Sequence, residues 1–253
     1  MSLFFKILIG VLVYFVFMIA YIPANWLVSI APLPNNTVIS GAEGTLWQGK
    51  AALVSIDQRQ IEHVSWQLSP WGLFMGQANI DFSIGNRATP VSGKGSVTWS
   101  LAGISGNTIR LDVPNSFLLA GSRLPFKTQV SGDVSLMIEV LQQGKPWCEQ
   151  LSGKLFLNNT DVKNQFGAYP VGNIALDLSC LDGQLQLATD ETQNAIGLTG
   201  TAILGEANLV KVSAKIKPTD TQPQDLRDAL PFLGRQDSQG YYPINYQGVV
   251  PGL

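Results

Sequence analysis

Few residues in this chain could do chemistry, and their spacing argues against an enzyme. The single histidine, His63, lies in Ile61-Glu62-His63-Val64-Ser65-Trp66. Beside Glu62 it could serve as a base or a metal ligand, but the segment reads as a strand, and a lone histidine on a polar strand face has nothing to act with. A zinc site needs about four ligands, so no metal is expected. Gly93-Lys94-Gly95 hints at a phosphate loop, yet a strand pattern follows where a helix N-terminus is required, so it reads as a hairpin turn. Glu43, Asp57, Asp81, Asp112 and Asp133 form no close pair in sequence. No nucleophile elbow, zinc-protease helix or P-loop signature occurs. Asn35-Asn36-Thr37 and Asn158-Asn159-Thr160 match an acceptor sequon, a pattern common by chance. The sequence therefore predicts no enzyme and no cofactor.

Covalent chemistry is left to Cys148 and Cys180. In an oxidising compartment such an isolated pair becomes a bridge, closing a loop of about 33 residues and stabilising by about 3–4 kcal/mol in the chain-entropy picture. Two buried free thiols are the alternative, since sequence does not show whether the β-carbons approach.

The compartment follows from the first element. Leu3 to Ile22 reads LFFKILIGVLVYFVFMIAYI, with Lys6 its one charge. About 20 apolar residues span a hydrocarbon core of ~30 Å. Lys6 can snorkel to the near interface, and Tyr21 and Trp26 suit the far one. Positive charge on the N-terminal side predicts a cytoplasmic N-terminus and an exported remainder. A signal peptide cleaved after Ala24 is the competing reading, but its n-region is poor and its apolar run exceeds the usual 7–15 residues.

Beyond that helix the chain changes character. Of its 253 residues only 13% are charged while 45% are hydrophobic, which excludes a disordered chain. Net charge is −2 and the 16 Lys and Arg are spread thinly, so nucleic acid is not an expected partner. Apolar residues alternate with polar ones at Val64, Trp66 and Leu68; at Ala78, Ile80, Phe82 and Ile84; at Val97, Trp99 and Leu101; and at Ile109, Leu111 and Val113. The pattern continues at Val134 to Val140, Leu155 and Leu157, Ile174 to Cys180, Leu185 and Leu187, and Val210 to Ile216. Period-2 alternation sends one set to each sheet face. Most of these segments are announced by glycine, and the spacing predicts short, hairpin-linked, mostly antiparallel strands.

Two helical patches interrupt them. Trp71 to Met75 reads as a turn after Pro70. Gln224 to Leu233 reads as a helix with Leu226, Leu230 and Leu233 in phase, capped by Thr221 or Asp220 and kinked at Pro231. Gly240 to Gly248 reads as a last strand. The predicted fold is mostly β: one N-terminal transmembrane helix, then a curved, largely antiparallel sheet, either an open groove or a sheet folded over on itself, with one short C-terminal helix. Its expected divisions are residues 1–27 for the cytoplasmic stub and anchor, 28–40 for a linker containing Pro32 to Thr37, and 41–253 for a periplasmic β domain.

Four features in order carry a family resemblance: the anchor; Gly41-Ala42-Glu43-Gly44-Thr45-Leu46-Trp47-Gln48-Gly49; Trp66-Gln67-Leu68-Ser69-Pro70 running into a hydrophobic turn to Gly76; and a late Pro-x-x-Leu helix before Gly240-Tyr241-Tyr242-Pro243. Together they resemble the type II secretion system protein N family, and the cysteine spacing fits it. AsmA-like envelope proteins share the tryptophan-proline turn. The resemblance implies an inner-membrane accessory component of protein export and brings no catalytic residues.

Two roles follow as expectations. The first is docking to other type II secretion components at the inner membrane through an exposed sheet edge. The second is lipid binding or transfer, because one short helix cannot cover a long apolar face and acyl chains would fill the remainder. Trp66, Ile80, Phe82, Trp99, Leu136, Leu155 and Leu176 are the expected residues of that face. Trp47, Trp66 and Trp99 are each expected to be mostly buried.

Overall fold

Alternation without intervening long helices leaves each strand one partner within reach, the strand that follows its hairpin. The computed structural model describes residues 3–26, 36–121, 125–165 and 167–249. It begins with helix α1 (Leu3–Ala20) and continues as strands β1 (Thr37–Ser40), β2 (Glu43–Gly44), β3 (Gln48–Ile56), β4 (Arg59–Leu68), β5 (Gln77–Ile84), β6 (Ser92–Ser100) and β7 (Gly103–Pro114). Then come β8 (Gln129–Gln143), β9 (Cys148–Asn164), β10 (Gly167–Leu181), β11 (Gln184–Thr189), β12 (Leu198–Leu204), β13 (Leu209–Ile216) and β14 (Tyr242–Val249).

All fourteen strands form one sheet in the order β1-β3-β4 and onward to β14, with β2 beside β3. Each ladder is antiparallel, so the sheet is a single meander. β1 and β14 end the path and do not pair with each other, so the sheet is open.

The strands are longer than their sequence suggests. β8, β9 and β10 contain 15, 17 and 15 residues. The glycines that look like strand starts are partly bulges inside strands. Gly132 (φ 100°) sits where the β8–β9 register shifts between Ser131 and Asp133, and Gly172 (φ 76°) where the β9–β10 register shifts. A bulge inserts one residue, and glycine takes the left-handed backbone at little cost. β12 was not among the predicted strands. β1 occupies the end of the expected linker, most of which lies outside the described residues.

The helical patches form nearly as expected. One is a short helix at Pro70–Phe74. The other is a helix at Gln224–Ala229 that continues as a 3-10 turn at Leu230–Leu233, where Pro231 prevents α-helical pairing. Its N-cap is Pro223, not Thr221 or Asp220, and has no side-chain cap. Leu230, 2% exposed, inserts among Ile174, Ile196 and Ile216, with Leu226, Leu157, Leu198, Tyr242 and Ile244 around them. That cluster draws on β9, β10, β12, β13 and β14, more strands than the helix length alone reaches, because Ile196 from the loop before β12 extends it.

α1 is apolar with one charge, and every one of its side chains whose burial is described is exposed. Its 18 residues rise about 27 Å against a core of ~30 Å. By itself no helix among the described residues is long and apolar enough to cross a membrane.

Candidate functional site

The sheet register turns the scattered alternation into one continuous apolar surface. Directly opposed residues of an antiparallel pair share a face. Trp66 opposes Phe82, and Leu68 opposes Ile80, which opposes Val97. Val97 opposes Gly106, and Gly106 opposes Leu141. Leu111 opposes Leu136, Leu136 opposes Leu155, and Leu155 opposes Leu176. Further on, Leu178 opposes Leu187, Leu187 opposes Ala202, Ala202 opposes Val212, and Val212 opposes Tyr246. All seven expected face residues thus lie on one face, and six of them are half-buried. The Leu230 cluster covers it at β9–β14, and the short helix Asn115–Leu118 packs on β7 and β8, where Ile109 and Val134 are buried, with the Phe117 and Leu118 carbonyls accepting from Arg59 of β4.

The seventh is a correction. Trp99 is 66% exposed. It opposes Ala78 and Ile104 at the last turn of β6, where the sheet ends and no neighbour stands above it. Periodicity gives a side chain's face but not its distance from the rim. Trp47 and Trp66 are half-buried, less than expected.

Those two tryptophans join the two strongest motifs into one unit. The Trp66 ring lies against Gly49, where a β-carbon would overlap it, and its indole N–H donates to the Leu46 carbonyl at 3.1 Å. The Leu68 amide donates to the Trp47 carbonyl at 2.7 Å. The Trp47 indole N–H donates to the carbonyl of Ile19 in α1 at 3.0 Å. The Leu46 amide donates to Ile22, and Pro23 bridges Thr45. The segment therefore fastens the end of α1 to the sheet, a role hidden in sequence because the partner of Trp47 lies 28 residues away. A cleft of about 510 Å³ beside this unit is lined by Glu43, Gly49, Lys50, Trp66, Asp81 and Phe82. The Glu43–Lys50 ion pair (3.0 Å) there is exposed and contributes little.

At the other side of the sheet, Cys148 and Cys180 are joined (Cα–Cα 6.1 Å). Beside them the Trp147 indole donates to the Gly205 carbonyl at 2.7 Å, and the amides of Trp147 and Cys148 both donate to Gly183. Disulfide and indole together tie the β8–β9, β10–β11 and β12–β13 hairpins, whose turns lie at one end of the sheet.

His63 is exposed and holds a left-handed backbone (φ 52°). No group of three or more metal-ligating side chains occurs among the described residues. The perturbed ionisable groups are at the surface. The Asp190 carboxyl is held below its ordinary range by the Thr192 hydroxyl and amide. The Tyr241 hydroxyl is raised, chiefly by its hydrogen bond to Glu191. Neither faces a cleft with a nucleophile.

The family model described as "Type II secretion system (T2SS), protein N" matches residues 35–245. The chain belongs to the type II secretion system protein N family. It is 32% identical over 251 residues to the type II secretion system protein N of Aeromonas hydrophila, covering 97% of this chain and 99% of that one. It is 28% identical over 231 residues to its counterpart in Vibrio cholerae (91% and 92% covered) and 24% identical over 239 residues to that of Pectobacterium carotovorum (94% of each). No solved structure matches the chain. Membership makes it a non-enzymatic component of type II protein secretion.

Proposed function

We propose that the chain is an inner-membrane-anchored accessory component that holds other secretion components by strand addition in the periplasm. The observation that carries the docking is β14. It is an edge strand of eight residues, YPINYQGV, with no charge. Exposed edges are ordinarily blunted by lysine, by proline, by shortness or by a covering element, and on β14 Pro243, near its start, is the one such residue. A long, uncharged edge with Tyr246 and Val249 exposed is instead a template for a partner's strand. β1, at the opposite edge, has only four residues.

Two features support the anchor. Helical hydrogen bonding runs past Ala20, from Tyr21 to Phe17 and from Ile22 to Ile19, which extends the apolar helix toward the twenty residues a span needs. The outward-facing apolar side chains of α1 find no cover on the sheet. Lys6, the positive charge on the N-terminal side, supports a cytoplasmic N-terminus.

The test is a photo-crosslinking residue at Asn245 or Tyr246 in secreting cells, with Asn173 in mid-sheet as control. Edge-specific adducts to a secretion component are expected, and Asn245→Lys with Gln247→Lys should abolish both adducts and export. Undiminished export by that double variant would remove the docking role of β14.

A second reading, lipid binding, is favoured by the half-buried apolar surface at Trp66, Ile80, Phe82 and Leu136. Phospholipid co-purifying with the gently extracted protein, and lost on Ile80→Asp, would support it.

A further inference from the structure

The turns at the end of the sheet where α1 is fastened differ across its width: the β8–β9, β10–β11 and β12–β13 turns carry Lys145, Asp182 and Glu206, whereas the two nearest α1 are uncharged. At the end where α1 is fastened, the β4–β5 connection reads Ser69-Pro70-Trp71-Gly72-Leu73-Phe74-Met75-Gly76, and the β6–β7 connection Leu101-Ala102. Neither carries a charge. Trp71, Phe74 and Met75 are 75%, 85% and 79% exposed, and Leu101 is fully exposed. Leu73, Trp99 and Ile104 add to the same rim. The turns at the opposite end are polar: Asn86-Arg87-Ala88-Thr89 after β5 and Asp190-Glu191-Thr192-Gln193-Asn194 after β11.

This rim is built to face outward. Gly72 is buried, and a β-carbon there would meet the Gln77 carbonyl and the Asn79 amide. The Ser69 amide donates to Asn79 at 2.9 Å. The short helix is thus mounted by its glycine side on β5, which directs its apolar side chains away from the sheet. The Trp71 and Phe74 rings stand together, centroids 6.1 Å apart. Gln77 opposes Ser100, which brings the Leu101 turn alongside.

The rim is also close to α1. Gln48 opposes Gln67, so the segment holding Ile19, Ile22 and Pro23 sits at the same end as Ser69 to Gly76. With strands ~4.8 Å apart, the Leu101 turn lies about 15–20 Å from that junction. Exposed Tyr21 and Trp26 flank it.

We infer that this rim, Trp71 to Met75 with Trp99 and Leu101, dips into the headgroup region of the bilayer that α1 enters, so that the α1 side of the sheet stands on the membrane rather than hanging from it. Aromatic side chains with an apolar body favour that layer, and apolar groups settle about 5–10 Å into it. Charged turns would oppose insertion, and the two turns nearest α1 have none. The docking edge, β14, would then be held at a fixed height beside the membrane. The inference rests on the anchored reading above.

The test uses the full chain in vesicles of phosphatidylethanolamine and phosphatidylglycerol. Nitroxide labels are placed singly on Phe74→Cys, Leu101→Cys, Asn86→Cys and Phe15→Cys, the native cysteines being bridged. Collisions are read with oxygen, which concentrates in lipid, and with a water-soluble nickel chelate. The expected oxygen-to-nickel ratio exceeds one at 74 and 101 and at 15, and falls below one at 86. A label at 15 in lipid with 74 and 101 in water overturns the rim and leaves the anchor. A label at 15 in water overturns both. Low access to both reagents at 74 and 101 would put protein, not lipid, on the rim and also overturn the inference.

Discussion

The apolar face has the same composition at both ends of the sheet and two different fates. Across β9 to β14 a helix and a loop bring Leu226, Leu230 and Ile196 over it, and Ile174 and Ile216 become buried. Across β4 to β8, among the described residues, only the short helix Asn115–Leu118 comes back, at one end of the strands, where the Phe117 and Leu118 carbonyls accept from Arg59. Ile109 and Val134 are buried there, while Trp66, Ile80, Phe82 and Leu136 stay half-buried. Burial here is set by whether the chain returns over the face, not by how apolar the strand is. A strand pattern therefore specifies that a face must be covered and leaves the cover to be supplied, by the chain itself at one end and, in the roles proposed, by a partner or lipid at the other.

The contrast is broken most severely by Leu230→Ala. Emptying a site that is 2% exposed should cost about 4 kcal/mol in chemical denaturation, within the usual span of about 2–5. Ile80→Ala should cost about 1–2 kcal/mol, because much of that side chain keeps its contact with solvent. Equal losses would mean that the open half is packed after all.

Removing the bridge with Cys148→Ser and Cys180→Ser should cost about 3–4 kcal/mol for a separation of 32 residues. On a non-reducing gel the native chain should run ahead of the reduced one. If both thiols of denatured, unreduced protein react with a maleimide, the bridge is absent.

Trp66→Ala should cost about 2–3 kcal/mol, less than for an enclosed tryptophan. Trp66→Phe should cost about 1 kcal/mol, keeping a ring against Gly49 while losing the bond to Leu46. Trp99→Ala should change stability in solution by less than about 0.5 kcal/mol.

The smallest effect is acidic. Asp190 is held below its ordinary range by Thr192, so its contribution is complete above the unfolded carboxylate value and disappears as pH falls through the lower folded one. The protection of the Thr192 amide against hydrogen exchange, relative to its intrinsic rate at each pH, should fall only below about pH 4, with the open half unaffected.

Much of this was legible in sequence. Ile80 and Phe82 declare their face by alternation, Leu226 and Leu230 declare a covering helix by spacing, and two lone cysteines found each other. Register was not legible, since opposing Leu136 to Leu155 and Leu176 depends on turn lengths and bulges. Gly132 and Gly172 looked like strand starts because a bulge and a turn both call for glycine. β12, LTGTAIL, was missed because Gly200 and its threonines blur the alternation. Trp47 looked like core because aromatic residues in strands usually are, and its hydrogen bond to Ile19 has no sequence signal. Trp99 shows the limit of periodicity most plainly.

The most direct measurement is side-chain accessibility on the two halves of the face in the folded, disulfide-intact protein. Single cysteines are placed at Ile80 and Leu136 in the open half and at Ile174 and Ile216 in the covered half, and maleimide labelling is timed under native conditions. Positions 80 and 136 should label promptly, while 174 and 216 should label only as the protein unfolds. Equal protection at all four positions would contradict an open apolar face.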